Sequence, residues 1–551
     1  MKEVNNSLGK LDEYLATEKA KPKSKAKKTI KAPRGNLNTD GMRVIQHEPG
    51  KLPEILDGCE QALTEADFNL FVQSGRMVRI YPAKEGLSFG LTRSRGAITL
   101  HPVDGAHLVE LLTKAAKHER FDARADTYKP CDCPRRVADS FLARGNWPNL
   151  KQLAGFIEAP IITPDGRVIA QPSYDQDTGL FAAFKRPERS AIPKPKPSRT
   201  DAEKAKLVLM ELVDDFPVVG DEDTSAMLAG IITALIRRIL PAAPLVAITA
   251  PTPGTGKTLV AETFAIIASG RRASVLSLGH DDAEAEKRLG GVLMAGDACI
   301  LLDNIERPLK GDLLCQVTTQ QFVRLRPLGA SGMLSIPTHA LMVATGNNLS
   351  IVGDLKRRVM LIRMDAKQER PEQRIFTRDH LEYVFEHRGE LIRAALEISL
   401  AYIAAGSPAI EGLHPMGGFE LWDKMVRRPL VWLGMPDPLK AAEGLRQQDP
   451  DLEAMRLLFE SWRDAFPSGE ATAADVVAAS LATIGFGETM MRLNPDLYDV
   501  LQVICAEKIN SRRLAGWLRS HRDRIVDGMK LEQDGTDGHT KVTRWKVIKC
   551  G

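Results

Sequence analysis

Two glycines, a lysine and a threonine stand at a spacing that suits a polyphosphate: Pro253-Gly254-Thr255-Gly256-Lys257-Thr258, set between the apolar run LVAITA and a helical run that begins LVAETFA. Gly254 and Gly256 let backbone N–H groups converge on phosphate oxygens with no Cβ in the way, and the N-terminus of the following helix adds partial positive charge at the same place. Pro253 and Thr255 complete the loop. Lys257 is placed to reach β- and γ-phosphates and Thr258 to hold a metal ion, so the implied ligands are ATP and Mg²⁺. The pattern G-x-x-x-x-G-K-[ST] opens here with Pro251 instead of glycine. That position lies at the strand exit and need not touch phosphate.

A second apolar run, ACILLDNIE, ends in Asp303, the carboxylate expected on the metal side. Asn304 follows where a catalytic Glu usually stands, and Glu306 is the nearest carboxylate to orient water. The sequence leaves the second member of the hydrolytic pair open between Asn304 and Glu306. VRLRPLGASGMLSIP then reads as two β-like segments around Gly329–Gly332, with Arg324 and Arg326 on the arm and no cation at the tip. ALMVATGNN is another buried strand, which places Asn347 to sense the γ-phosphate, with Asn348 in reserve. Ten residues after Asn347 come Arg357 and Arg358, before a further apolar strand. In that position they read as an arginine finger that neutralises developing charge at a neighbouring subunit's nucleotide.

Taken together and in this order, PGTGKT, the Asp303 strand, the hairpin, TGNN and the Arg-Arg pair resemble an AAA+ ATPase, and within that class the superfamily 3 helicases, which include primase-helicases of phages, plasmids and integrated elements. These motifs cover about a fifth of the chain. FPVVGDEDTSAMLAGIITALIRRILP, MVRRPLVWLGMPDP and IEAPIITPDGRVIAQPSYDQDTGLF are similar to segments of prophage and integrative-element proteins. The resemblance implies a ring, most often a hexamer, with the arginine finger acting in trans and the hairpin projecting into a central pore. In that family the hairpin grips single-stranded DNA through a tip lysine. Here the tip lacks it.

The elements that must position these groups follow from patterning. The chain has 551 residues, 43% of them apolar and 5% aromatic, so several aliphatic cores are expected. Residues 1–40 carry seven lysines between Lys19 and Lys31 and bury too little to order, which predicts a disordered basic tail. Residues 41–184 alternate strand and helix patterns: LFVQSGRMVRIYPA turns at Gly75, GAHLVELLTKAAKHE is an amphipathic helix, and a hairpin turns at Pro164-Asp165-Gly166. They read as an α+β accessory domain; no pair of carboxylates on an apolar strand supports primase chemistry there. Residues 185–200 read as an extended, exposed, Pro-rich linker. Residues 201–368 hold the ATPase core behind leading helices, the first with a capping box from Thr200 and Glu203. Residues 369–450 are helical.

The last segment, 451–551, carries eleven Lys/Arg against five Asp/Glu between Lys508 and Lys549. NSRRLAGWLRSHRDRIVDG reads as a helix capped by Ser511, with Leu514, Trp517, Leu518 and Ile525 on one face and Arg512, Arg513, Arg519 and Arg522 outward. A hairpin bearing Lys541 and Arg544 follows. Helix plus hairpin suggests a winged helix, with the basic helix in a major groove and the wing on phosphates.

The seven scattered cysteines, the absence of a ~20-residue apolar run and the polar N-terminus predict a reduced, cytoplasmic, non-membrane protein. The fold expected is an α/β P-loop NTPase (AAA+) core on a parallel sheet, with an N-terminal α+β domain and a C-terminal helical and winged-helix-like domain. The function expected is an ATP-driven DNA motor in replication of a mobile element, with DNA, sister subunits and host replication proteins as partners. A loader that remodels protein–DNA assemblies, and a DNA-binding protein with a structural nucleotide site, are the alternatives.

Overall fold

The computed structural model describes residues 41–82, 86–88, 91–93, 98–184, 189–277, 282–325, 333–374, 378–447, 450–484, 491–506, 508–536 and 542–550. The N-terminal stretch 1–40, residues 185–188, Arg326, residues 329–332 and Lys541 lie outside the described residues. The chain forms two compact units, one of residues up to Ile80 with His101–Gln152, the other of Tyr81–Leu100 with Leu153–Gly551.

In the first unit, helices Leu52–Ala66, Gly105–Ala115 and Arg135–Ala143 enclose a core with Leu63, Leu108, Leu112, Phe141 and Trp147. The hairpin Leu70–Gln73/Arg76–Pro82 turns through Ser74 and Gly75, both at positive φ. Two consecutive left-handed residues match the right-handed twist of the strands. The amphipathic helix stops at Ala115, and Ala116–Asp122 is a strand, parallel to Arg43–Gln46 and antiparallel to Thr127–Cys131. Pairing on both edges there overrides helical propensity.

From Leu153 onward the chain belongs to the second unit, whereas the sequence reading carried the accessory domain to residue 184. The reason is packing. The hairpin Ile161–Ile162/Val168–Ile169 turns at Gly166, as expected, but a Cβ at Gly166 would sit 3.3 Å from Ile403 Cγ2, and Ile162 belongs to the main core of the second unit. Residues 189–198 are likewise docked, not extended in solvent: Ala191 is buried and the Lys194 N–H donates to Glu397 Oε1 at 3.2 Å.

Helix α1 (Arg199–Val213) is capped by Ser198 and Asp201, two residues before the expected Thr200/Glu203 pair. Helix α2 (Asp221–Ile236) is buried along nearly its whole length. Then come β1 (Leu245–Ala250), α3 (Lys257–Ser269), β2 (Ser274–Leu276), α4 (Asp282–Ala295), β3 (Cys299–Leu302), α5 (Asp312–Thr319), the hairpin β4 (Phe322–Leu325) and β5 (Leu334–Pro337), β6 (Leu341–Asn347), a 3₁₀ turn (Gly353–Arg358) and β7 (Val359–Arg363). The sheet runs β2-β3-β6-β1-β7 with every pairing parallel. Alternate residues of β1 enter two different cores: Val246, Ile248 and Ala250 join α2 and α3, while Leu245 and Ala247 face the side of α4 and α5. A strand buried on both faces must be apolar throughout, which is why LVAITA shows no alternation. Gly230 of α2 allows close approach to α3, since a Cβ there would lie 2.5 Å from Phe264 Cζ.

Helices α6 (His380–Glu386) and α7 (Arg388–Ala404) follow, with α7 packed along α1. The last segment has its own core around Trp462, Leu514, Leu518 and Trp545. It contains α8 (Pro450–Ala465), β8 (Glu470–Thr472), α9 (Ala473–Leu481), α10 (Pro495–Cys505), α11 (Ser511–His521), β9 (Met529–Thr536) and β10 (Thr543–Lys549), with β10 between β8 and β9. No helix among the described residues is long and apolar enough to cross a membrane.

Two buried histidines in the first unit generate a pH prediction. His118 Nε2 lies 3.0 Å from the Leu112 carbonyl and His118 Nδ1 lies 2.9 Å from His47 Nε2. A carbonyl only accepts, so His118 donates there and accepts from His47; both rings are neutral. Burial, then His118 and Arg136, bring His47 from 6.5 down to about 4, and burial lowers His118 also. Below pH 6.5 the unfolded chain therefore binds protons that the native unit refuses, and stability falls as pH drops towards 4. The limiting slope is about 1.4 kcal/mol per pH unit for each proton. Thermal melts of the full chain from pH 7.5 to 4.5 should show that decline, and it should flatten in His47→Gln.

Candidate nucleotide site

The polar groups singled out in the core converge because the sheet is parallel. β3, β6 and β1 are adjacent, so their carboxyl ends share one edge of the sheet, the place where open α/β sheets bind ligands. The loop 253–258 leaves β1 there. Gly254 and Gly256 have φ of 76° and 96°, and Gly256 leads directly into α3. A Cβ on Gly254 would lie 3.0 Å from the backbone N of Glu372, so this glycine is required both by conformation and by the segment that crosses above it.

Lys257 Nζ donates to Asn347 Oδ1 at 2.8 Å, to the Thr252 carbonyl at 3.1 Å and to Thr255 Oγ1 at 3.2 Å. Burial lowers its pKa, and Asp303 opposes the shift. A polyphosphate arriving at this ammonium would oppose it further. Asn347 makes this contact; Asn348 instead adopts φ 46° and donates its N–H to the Ala250 carbonyl, turning the chain. Thr258 Oγ1 lies 3.4 Å from Asp303 Oδ1, and Thr345 Oγ1 donates to the same oxygen at 2.6 Å. The other Asp303 oxygen accepts from neither hydroxyl.

These groups fit the expected ligands. Among the described residues no cluster of three or more His, Cys, Asp or Glu is arranged for a metal. A magnesium ion held by one hydroxyl and one carboxylate would take its remaining oxygens from phosphate and water, the usual habit of that ion. Thr258 and Asp303 are the residues that would hold it.

Glu306 is exposed, three residues beyond Asp303, and accepts from Asn304 Nδ2 at 3.2 Å. The Arg357–Arg358 pair divides in two. Arg358 is only 15% exposed and donates from Nη1 to the Cys315 carbonyl and to Thr319 Oγ1, each at 2.8 Å, which fastens the 3₁₀ turn to the end of α5. Arg357 is 62% exposed and engages only Asp354 on its own turn. Of the two, Arg357 presents the accessible guanidinium.

Sequence reasoning missed three contributors. Thr345, buried in β6, holds Asp303; its signal was a lone hydroxyl in an apolar strand. Arg388 donates from Nε to the Ile266 and Ile267 carbonyls at 2.8 and 3.1 Å, capping the C-terminus of α3. Arg363, at the end of β7, pairs with Asp223 at 2.8 Å and with Glu222, tying the sheet to α2. Nothing in the local pattern marks the last two.

The basic residues assigned to DNA have mixed fates. Arg324 is exposed on β4 opposite Ser335, beside exposed Phe322; Arg326 lies outside the described residues. Helix α11 is capped by Asn510 instead of Ser511, which is its first residue. It ends at His521, so Ile525 does not share its buried face and is 63% exposed. Arg512 and Arg519 are exposed two turns apart on one face. Arg513 donates to the Cys505 carbonyl at 2.8 Å, closing α10. Arg522 follows the helix near Asp523, and Arg544 lies 3.8 Å from Glu470. Lys541 is outside the described residues.

No protein-family model matches the chain, and no curated protein does. Solved structures that overlap it include the apo A form of the NrS-1 C-terminal region, 12% identical, covering 80% of this chain and 98% of that one at a TM-score of 0.34. The NrS-1 region 305–718 is 13% identical, with coverages of 81% and 100% and a TM-score of 0.36. The JCV helicase is 12% identical, with coverages of 46% and 73% and a TM-score of 0.21. Overlaps this loose carry no argument about the chain, so its function is argued from the site.

The two arginines should separate experimentally. Arg358→Ala removes three charged-donor hydrogen bonds, to Cys315, Thr319 and Asp354, from a largely buried position and should destabilise the second unit by about 2 kcal/mol. Arg357→Ala should leave the denaturation midpoint within error of wild type. Urea unfolding of both variants checks this.

Proposed function

We propose that the chain is an ATP hydrolase that drives movement on DNA as a homo-hexameric ring, in the replication of a phage, plasmid or integrative element. The observation that carries the reading is the contact of Lys257 with Asn347, beside the pairing of Thr258 with Asp303. A phosphate-loop cation, a polar sensor and a metal-side carboxylate meet at one edge of a parallel sheet.

In this reading Lys257 and the backbone of 253–258 hold the β- and γ-phosphates. Magnesium, on Thr258 and Asp303, supplies charge neutralisation. Glu306 orients the attacking water, and Asn347 responds to the loss of the γ-phosphate by its link to Lys257. Arg357 reaches the neighbouring subunit's site, and Arg358 supports the turn that carries it. Arg324 and Arg326 on the hairpin touch single-stranded DNA. The C-terminal segment acts as a winged helix on duplex phosphates through Arg512, Arg519, Arg522, Lys541 and Arg544, with Arg513 holding α11 in place. The helical run 369–450 supports the core, and residues 1–40 form a basic tether. The setting is cytoplasmic, among host replication proteins.

A second reading, a loader that uses ATP to remodel a protein–DNA assembly without unwinding, is favoured by the Gly329-Ala330-Ser331-Gly332 turn, which offers no cation to a strand. Asn304 in place of the usual Glu favours a third, a nucleotide site without turnover.

Steady-state ATP hydrolysis with and without single-stranded DNA separates them. The motor predicts DNA-stimulated turnover that falls at least about 100-fold in Lys257→Ala, Glu306→Gln and Arg357→Ala. Turnover indifferent to DNA, with no strand displacement, selects the loader; ATP binding without turnover selects the third reading. For duplex binding, replacing Arg512 and Arg519 together by Ala should reduce the slope of log affinity against log salt by about 2. An unchanged slope would remove α11 from the DNA interface.

A further inference from the structure

We infer that Asn304 is a positioning residue that holds the Glu306 carboxylate for attack by water, so that the two residues together fill the role one Glu usually takes. The inference rests on the ATPase reading above and concerns how this chain carries out the water-activating step.

The geometry begins with an interruption of the sheet. Pairing between β3 and β6 runs in register up to Leu302 opposite Ala344. It resumes when the Ile305 N–H donates to the Thr345 carbonyl at 2.8 Å. Asp303 and Asn304 thus both stand against Thr345, two residues against one, which is the count of a β-bulge. A bulge re-aims the side chains that follow it. Asn304 takes φ 52°, a left-handed conformation that asparagine tolerates and most residues do not. Its N–H donates to Thr345 Oγ1 at 3.2 Å, while the same hydroxyl donates to Asp303 Oδ1 at 2.6 Å. Thr345 is 1% exposed, so this clamp is dry.

With its backbone pinned, Asn304 aims its amide along the chain and Nδ2 donates to Glu306 Oε1 at 3.2 Å. Ile305 between them is buried, and Asn304 and Glu306 both emerge on the exposed side. An amide N–H cannot take a proton from water, but it fixes one oxygen of a carboxylate and leaves the other lone pairs for the water proton. The chain Asp303–Thr345–Asn304–Glu306 therefore ties the water-orienting group to the metal-side carboxylate through the strand that also carries Asn347. This explains how a position lacking the usual Glu remains compatible with hydrolysis.

The test separates the amide from the backbone it sits on. Glycine adopts φ 52° without strain, so Asn304→Gly keeps the bulge and removes only the side chain. Asn304→Asp keeps shape and conformation and turns the donor into an acceptor. ATP turnover and binding of a fluorescent ATP analogue are measured on the full chain for wild type, both variants, Glu306→Gln and the double variant Asn304→Gly/Glu306→Gln. The expectation is a kcat loss of about tenfold or more in Asn304→Gly and at least as much in Asn304→Asp, with KM and analogue affinity within about twofold. The double variant should turn over no more slowly than Glu306→Gln alone, since residues acting as one unit are not additive. Wild-type kcat in Asn304→Gly, or losses that multiply in the double variant, would overturn the inference while leaving the ATPase reading intact. A wild-type chain that binds the analogue without turnover would overturn both.

Discussion

The ammonium of Lys257 is held partly out of water against two acceptors of its own loop and a third, Asn347, on a neighbouring strand. Desolvating a cation is costly unless acceptors replace the lost water. The loop supplies two by its own curvature, but the third exists only if β6 lies beside β1 with the same direction. That adjacency requires crossovers through helices on both faces of the sheet, and so a β1 apolar on both sides. From one charge in the right place, much of the core's topology follows.

A second pattern runs through the molecule: arginines close the ends of elements. Arg237 is 2% exposed and donates to the carbonyls of Leu240 and Thr338, each at 2.7 Å, with burial bringing its pKa down to about 9. Arg388 closes α3, Arg513 closes α10 and Arg358 closes α5. Carbonyls at helix C-termini lack intrahelical partners and carry partial negative charge, and a planar guanidinium can satisfy two at once. Read one residue at a time, these arginines look like surface charges or nucleic-acid contacts. Several of their partners lie far away in sequence: Arg388 is 122 positions from Ile266, and Arg237 is 101 from Thr338.

That distance explains what could be read in the chain. The glycine-bearing loop between β1 and α3, the strand before Asp303, the strand that ends at Asn347 and the alternation of helices and strands are local patterns, and these elements appear where expected. Within the Arg357–Arg358 pair nothing local separates the members; the difference arises because α5 packs against one and not the other. Helix caps shifted by one or two residues, Ser198 for Thr200 and Asn510 for Ser511, because several neighbouring polar residues can all cap and tertiary fit chooses. The boundary at Gln152/Leu153 was invisible for a similar reason: the strands on either side look alike, and only their choice of core divides them.

Helix α3 has one end in the phosphate loop and the other under Arg388, which also donates to the Glu158 carbonyl at 2.9 Å, while the Glu158 carboxylate pairs with Arg271 at 2.6 Å. Thirteen helical residues span about 20 Å. A helix buried along its length transmits displacement as a stiff rod. A shift of the loop would therefore be carried along the helix axis towards Arg388 and the Glu158 carbonyl it holds. One arginine thus joins the far end of that helix to the Glu158 segment.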